Sequence, residues 1–223
     1  MTAPRLEPAL RSVRLRLDLL GWWHPGTGRG DGVAADAVVL RDPAGLPYLP
    51  GRTVKGLLRE AVRLGGAAGI PGLNAATQER LFGTALLGSD STDRVRRLES
   101  ARFQTEPGAL RFGDAVLGQT AAEADAWRVW ARTDTGKARV RQLVTTLAST
   151  AVDSKTGTVK EHTLRTIEVA APVTLWAPLT VEGDATVPWE AVNEAVAIFL
   201  RGVGSHRTRG LGRCSAQICR ENA

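Results

Sequence analysis

Apolar and polar side chains alternate along residues 13–19, and this alternation determines how the fold must begin. A valine and three leucines occupy every second position from Val13 to Leu19, separated by two arginines and an aspartate. A period of two predicts a strand with one buried face. Five glycines and a proline follow between residues 21 and 32, and they exclude regular structure. The chain is therefore expected to open with a strand that runs into a long surface loop.

Helical periodicity appears further along the chain. Apolar residues recur at helical spacing over 54–62, which predicts a helix capped by Thr53 and ended by Gly65-Gly66. A short helix is predicted over residues 75–82. A further helix is predicted to open at Pro188, because proline is tolerated in the first turn, and to end by Gly202.

Strand patterns cover residues 109–117, 143–152, 167–181 (one or two strands) and 214–219. The stretch 118–140 is polar and alanine-rich, with Trp127 and Trp130 at the spacing of a helical turn. The resulting order is strand, helix, strands, helix, strand. It predicts an α+β fold with a ferredoxin-like (RRM-like) core that carries insertions. No internal repeat or linker divides residues 1–223, so one domain is expected.

Charge favours a nucleic-acid partner without proving one. The chain has 29 lysines and arginines against 23 acidic residues, with a net charge of +6. Arginine supplies most of the excess, and its planar fork fits phosphate better than lysine does. No apolar run approaches the ~18 residues of a membrane span, and residues 1–10 do not resemble a signal peptide. We therefore expect a cytoplasmic protein with no membrane contact.

Cys214 and Cys219 are five residues apart, on opposite faces of a strand, so we expect two reduced thiols.

Two basic features are candidates for phosphate binding. On the first helix Lys55, Arg59 and Arg63 recur every four residues and share one side, and Arg52 precedes them. The second feature is the glycine loop, defined here as residues 202–213, where glycines allow backbone amides to approach a phosphate. The alternatives are a solvated helix face and a flexible basic turn. The loop's candidate residues are Gly202, Gly204, Ser205, His206, Arg207, Arg209, Gly210 and Gly212.

Common catalytic motifs are missing from the sequence. His24, His162 and His206 are far apart and have no metal-ligand spacing. There is no Gly-x-Ser-x-Gly nucleophile motif and no Walker A motif. The remaining chemical candidates are three aspartates that follow the first strand, although a loop aspartate more often forms a turn. They are Asp31, Asp36 and Asp42.

Five segments together resemble the RAMP (repeat-associated mysterious proteins) superfamily of CRISPR systems, and they occur in the family's order. Residues 45–59, GLPYLPGRTVKGLLR, resemble the family segment lPyiPGsSlKGalR. Phe82-Gly83-Thr84 resembles the FGs turn that follows it. The remaining segments are Arg111-Phe112-Gly113-Asp114-Ala115 (family l.f.DA), residues 153–161 (family iDrkTGtak.g) with Ile167-Glu168-Val169 after it, and the glycine loop.

Within the superfamily, the chain resembles the repeated backbone subunit (Csm/Cmr type) of type III CRISPR effector complexes. Residues 36–43, DAVVLRDP, resemble that subunit's D.pvirdp run, whose aspartate cuts target RNA. The resemblance implies that Asp36 is catalytic, either by binding Mg²⁺ or Mn²⁺ or by helping to remove a 2′-OH proton. Asp31 and Asp42 do not match this position. Arg52 departs from the family's usual small residue, and residues 22–25 depart from its usual start, so the subtype stays open.

The resemblance also implies partners and a division of the domain. Arg52, Lys55, Arg59, Arg63 and the glycine loop would hold guide RNA, and the complementary target RNA would pair with it. Further copies of the subunit and other effector subunits would assemble along the guide. The core would comprise residues 11–118 and 163–220, with a thumb-like insertion at 119–162. The alternatives are a scaffold that does not cleave and a guide-precursor processing endoribonuclease, which would use His24 as acid–base.

Overall fold

The computed structural model describes residues 11–28, 35–84, 106–150, 156–158 and 163–220. Asp31, His162 and most of the segment 153–161 that resembles the family lie outside these residues. The six described strands are β1 (Ser12–Leu19), β2 (Leu110–Phe112), β3 (Val144–Ser149), β4 (Arg165–Ala170), β5 (Thr174–Val181) and β6 (Cys214–Arg220). The five described α-helices are α1 (Gly51–Ala67), α2 (Ala75–Phe82), α3 (Ala121–Ala131), α4 (Asp134–Gln142) and α5 (Trp189–Phe199). None of them combines the length and apolarity needed to cross a membrane.

The central sheet has four strands in the order β2-β5-β1-β6. Each pair of neighbours is antiparallel, and Arg16 of β1 lies opposite Trp176 on one side and Gln217 on the other. With α1 between β1 and β2 and α5 between β5 and β6, this is the ferredoxin-like order of a split βαβ. The predicted α+β fold is confirmed.

The core lies between this sheet and the pair α1 and α5. The predicted alternation in β1 holds, since Val13, Leu15 and Leu17 are fully buried. Removing each such side chain from water contributes about 1.5–3 kcal/mol. The two helices approach closely at Gly65, where an added Cβ would lie 2.8 Å from the Cβ of Ala195. A larger residue at position 65 would therefore separate the helices from each other.

The first helix starts earlier than predicted, and its cap comes from elsewhere in the chain. It begins at Gly51 after Pro50, without a side-chain cap from the N-cap residue, so the predicted cap at Thr53 is wrong. Instead, Asp114 Oδ1 accepts a hydrogen bond from the Gly51 amide at 2.8 Å. A carboxylate at a helix N-terminus accepts a hydrogen bond from a free amide and interacts favourably with the positive end of the helix dipole. The helix also continues past Gly65-Gly66 to Ala67.

Other boundaries differ in smaller ways. The strand predicted over 109–117 is regular only at Leu110–Phe112, and residues 115 and 116 form isolated bridges instead. Pro188 is the N-cap of α5 rather than part of its first turn, and the helix ends at Phe199.

Cys214 is buried and Cys219 is on the opposite, half-buried face, both as free thiols. Burial raises the pKa of the Cys214 thiol to about 11.

Two helices and a hairpin lie in the chain between β2 and β5. Thr120 and Thr133 cap α3 and α4 through hydrogen bonds to the amides of Glu123 (3.1 Å) and Gly136 (3.0 Å). Strands β3 and β4 pair antiparallel, with Leu147 opposite Ile167. Strand β4 also pairs with Trp23 and with Ala37, and so it connects this region to the loop that follows β1.

Candidate nucleic-acid interface

A groove with a volume of about 1010 Å³ runs between α1 and the glycine loop. Its wall on α1 comes from the first turns of the helix, and residues 25–27 also line it. The described residues that line it include four arginines and one acidic residue, Glu60, so this part of the lining carries a positive excess. The arginines are Arg52, Arg201, Arg207 and Arg213.

The glycine loop has a defined conformation because the segment after β1 holds it. The amide of Gly212 donates to the carbonyl of Trp22 at 2.8 Å, and that of Ser205 donates to the carbonyl of His24 at 3.0 Å. Gly204 and Gly212 have φ of +78° and +72°. A Cβ at Gly204 would overlap the His24 carbonyl oxygen. The glycines therefore permit a backbone contact that other residues would block.

His206 of this loop meets His24 of the segment after β1. The rings of His24 and His206 are 5.9 Å apart, edge to face. His24 is 2% exposed, and its Nδ1 lies 2.6 Å from the Glu168 carbonyl oxygen. Because a carbonyl only accepts, this nitrogen carries the proton. His206 has a left-handed backbone with φ of 60°. Burial, followed by the nearby His24 and Arg209, lowers the pKa of His206.

The basic stripe of α1, formed by Lys55, Arg59 and Arg63, is not on the groove wall. Arg59 donates to the Gly83 carbonyl at 2.6 Å, beside α2. Burial and the charges of Arg59 and Arg111 lower the pKa of Lys55. Arg63 forms two hydrogen bonds with Glu60, at 2.8 and 2.7 Å. At about 100° per residue, Arg52 lies close to the angular position of Arg59 and Arg63, so the stripe flanks the groove, and Arg52 in the first turn lines it.

The structure thus brings part of the predicted set together. Arg52 shares the groove with five predicted loop residues, whereas Arg59 binds the residue that follows α2 and Lys55 is within electrostatic range of Arg111 on β2. The five are Gly202, Gly204, Ser205, Arg207 and Gly210. His206, Arg209 and Gly212 belong to the same loop but do not line the groove. The sequence analysis missed Arg201, whose position directly before the loop was the available signal.

Asp36 is exposed and paired with β4. Its amide donates to the Thr166 carbonyl at 2.8 Å, and its Oδ2 accepts from the Thr166 amide at 2.7 Å. Asp42 is a turn former, because its carboxylate accepts from the amides of Ala44 (2.9 Å) and Leu46 (3.0 Å). Across the described residues, no three His, Cys, Asp or Glu side chains form a metal-binding cluster. Asp36 can therefore offer one carboxylate, and Mg²⁺ is often held by one or two carboxylates plus substrate phosphates.

The sheet order, the glycine loop after the last helix and the groove beside it place the chain in the ferredoxin-like class. The chain belongs to the RAMP superfamily, whose sequence profile matches residues 16–215. No curated protein sequence matches it significantly.

Two solved structures are similar in fold. One is a chain of the type III-B Cmr-beta complex bound to cognate target RNA, with a TM-score of 0.60 and 10% identity over 95% of this chain and 98% of that chain. The other is the same complex in its apo state, also with a TM-score of 0.60 and 10% identity, over 96% of this chain and 98% of that chain.

Proposed function

We propose that this protein is a backbone subunit of a type III CRISPR effector complex and that its groove holds the guide RNA. The observation that carries the proposal is that one groove is lined by four arginines and by residues of the glycine loop. Membership of the RAMP superfamily and fold similarity to a chain of an RNA-bound Cmr complex support it.

The groove combines two kinds of surface that suit single-stranded RNA. Arginine forks and the amides of the glycine loop bind phosphate oxygens. Leu57, Phe199 and Leu211 also line the groove and give it an apolar part on which a base can rest. Such contacts recognise charge and shape, so base pairing with the guide supplies the sequence specificity.

Co-purified nucleic acid and native mass together test this proposal. RNA extracted from the purified protein should carry a common repeat-derived tag at one end. Mixed with guides of increasing length, the protein should form assemblies whose mass rises in steps, since one copy covers a fixed length of RNA. A monomer at every guide length would contradict the proposal and favour the processing endoribonuclease.

We further propose that the assembled subunit cleaves the paired target RNA with Asp36. The target's 2′-oxygen attacks the adjacent phosphorus, the bond from phosphorus to the 5′-oxygen breaks, and the leaving 5′-oxygen takes a proton from water, so the products are a 2′,3′-cyclic phosphate and a 5′-hydroxyl. Asp36 either accepts the 2′-OH proton or binds a divalent ion, Mg²⁺ or Mn²⁺, which supplies charge stabilisation at the phosphate. Positioning of the strand must supply much of the rate, because one carboxylate contributes little alone.

A scaffold without cleavage activity is the second candidate, and one observation favours it. The Asp36 carboxylate already accepts a hydrogen bond from the amide of Thr166 on β4, and a structural residue that holds two segments together would make the same contact. The processing endoribonuclease is less well supported, because His24 is 2% exposed and its Nδ1 is bound to a carbonyl. A general acid or base must be within reach of the RNA.

A further inference from the structure

We infer that His24 is a positioning residue that couples the glycine loop to the segment of residues 35–41, here called the Asp36 segment. The coupling runs through the backbone of His24 on one side and its imidazole on the other. Its consequence for cleavage rests on the proposed function, whereas the coupling itself does not.

The backbone of residues 22–25 lies between the two regions, and its carbonyls alternate in direction. Trp22 and His24 accept hydrogen bonds from Gly212 (2.8 Å) and Ser205 (3.0 Å) of the glycine loop. On the opposite side, the Trp23 carbonyl accepts from the amide of Ala170 at 2.7 Å, and that of Pro25 accepts from Leu40 at 2.6 Å. This piece of chain therefore binds the glycine loop along one edge, and β4 and the Asp36 segment along the other.

The His24 side chain crosses from the first edge to the second. Its carbonyl binds the loop at Ser205, while its Nδ1–H donates to the Glu168 carbonyl of β4 at 2.6 Å. The side chain is enclosed, because His24 is 2% exposed, and only glycine fits at position 26, where an added Cβ would lie 2.7 Å from its Nε2. The position of the loop backbone is therefore tied to the position of β4.

Strand β4 in turn holds the Asp36 segment. The Glu168 amide donates to the Ala37 carbonyl at 2.9 Å, and the Thr166 amide donates to Asp36 Oδ2 at 2.7 Å. The Glu168 carboxylate accepts from the Val39 amide at 2.9 Å and from Arg41 at 2.9 Å. Exchange of the Thr166 and Glu168 amides therefore reports whether the Asp36 segment is bound to β4. Closely packed groups transmit a displacement because they cannot absorb it.

Spatial proximity is not proof of coupling, and a double-mutant cycle measured by hydrogen exchange provides the proof without RNA. The variants are His24→Phe, which removes the donor at similar size, and His24→Asn, which retains a donor near the Nδ1 position. Each is combined with Gly204→Ala, which forces the loop away from the His24 carbonyl. The readouts are the exchange rates of the Thr166 and Glu168 amides, with the Ser205 amide as the report on the loop.

We expect Gly204→Ala to speed exchange of both β4 amides about tenfold when position 24 is His or Asn. In the His24→Phe protein these amides should already be fast, and adding Gly204→Ala should change them less than about twofold. The inference is overturned if Gly204→Ala speeds only Ser205, or if the two substitutions act additively on Thr166. Should Gly204→Ala fail to fold, the single variants decide. Equal β4 exchange in His24→Phe and His24→Asn would also overturn the inference.

Cleavage supplies the second readout. In the assembled complex His24→Phe should slow the cleavage step about tenfold or more while guide affinity stays within about twofold, and His24→Asn should restore the rate. If the wild type does not cleave, the proposal for Asp36 fails, whereas the exchange cycle still decides whether His24 couples the two regions.

Discussion

Asp36 and Thr166 bind each other twice, through a backbone hydrogen bond of 2.8 Å and a hydrogen bond of 2.7 Å from the Thr166 amide to the Asp36 carboxylate. The second bond fixes the direction of an exposed carboxylate that would otherwise rotate freely. A fixed carboxylate can serve a reaction or hold the Asp36 segment against β4, and a substitution that removes its charge but keeps its hydrogen bond distinguishes the two roles.

The first prediction uses Asp36→Asn, which keeps an oxygen acceptor for Thr166 but removes the charge. Cleavage of a paired target should fall by about a hundredfold or more, with guide and target affinity within about twofold. A 2′-deoxy nucleotide at the scissile position should block that cut alone, and chelation of divalent ions should stop all cuts if an ion takes part. Gel analysis of labelled target in the assembled complex measures each effect.

Asp42→Asn is the matched control for this prediction. Its carboxylate binds two amides and lies 3.4 Å from Arg128 Nε, so the substitution should lower thermal stability while folded protein still cleaves. Equal cutting by wild type and Asp36→Asn would remove Asp36 from the mechanism. Tight target binding without cutting by either would favour the scaffold.

The second prediction concerns which basic residues contact RNA. Arg52→Ala with Arg207→Ala should reduce the dependence of log affinity on log salt by about 1.4, since each phosphate contact on a single strand contributes about 0.7. Replacing both Lys55 and Arg59 with alanine should reduce this salt dependence less, because these two predicted contacts flank the groove. Fluorescence anisotropy with one RNA at several salt concentrations measures both slopes. A larger effect from Lys55 and Arg59 would move the guide path onto the basic stripe of α1.

The third prediction separates steric overlap from backbone strain in the glycine loop. Gly210 has φ of +85° with no atom within 4 Å of an added Cβ, whereas a Cβ at Gly212 would overlap the Val203 carbonyl. Gly210→Ala should therefore cost about 1–2 kcal/mol of unfolding free energy, and Gly212→Ala clearly more, with weaker RNA binding. Urea denaturation and anisotropy measure the two effects. Equal costs would show that the Gly212 contact relaxes freely.

The fourth prediction follows from the lowered pKa of His206. The unfolded chain takes up a proton at this residue at a higher pH than the folded protein does. Stability is therefore lost as the pH falls from the ordinary value near 6.5 toward the lower folded value. His206→Asn tolerates the left-handed backbone and should show a smaller loss of melting temperature between about pH 7.5 and 5.5. An unchanged loss would mean that another group titrates.

The sequence predicted what local patterns control. The alternation from Val13 to Leu19 and the helix over 75–82 both hold, because the period of apolar residues is set by the element itself. The cap of α1 could not be predicted, because Asp114 is 63 positions from Gly51 in the chain. The side of α1 that lines the groove was equally hidden, since it depends on how the helix packs against the sheet and α5.

The alternating carbonyls of residues 22–25 limit insertions and deletions more than substitutions. Their contacts are made by the backbone, so many side chains could replace Trp22 or Pro25 without removing an acceptor. Removing one residue would instead turn every following carbonyl to the opposite edge. Carbonyls that accept from Ala170 and Leu40 would then face the glycine loop, and the amides on both edges would lose their partners. For the backbone contacts of this segment the number of residues is therefore a stricter requirement than their identity, whereas the contact of the imidazole with Glu168 requires His24 itself.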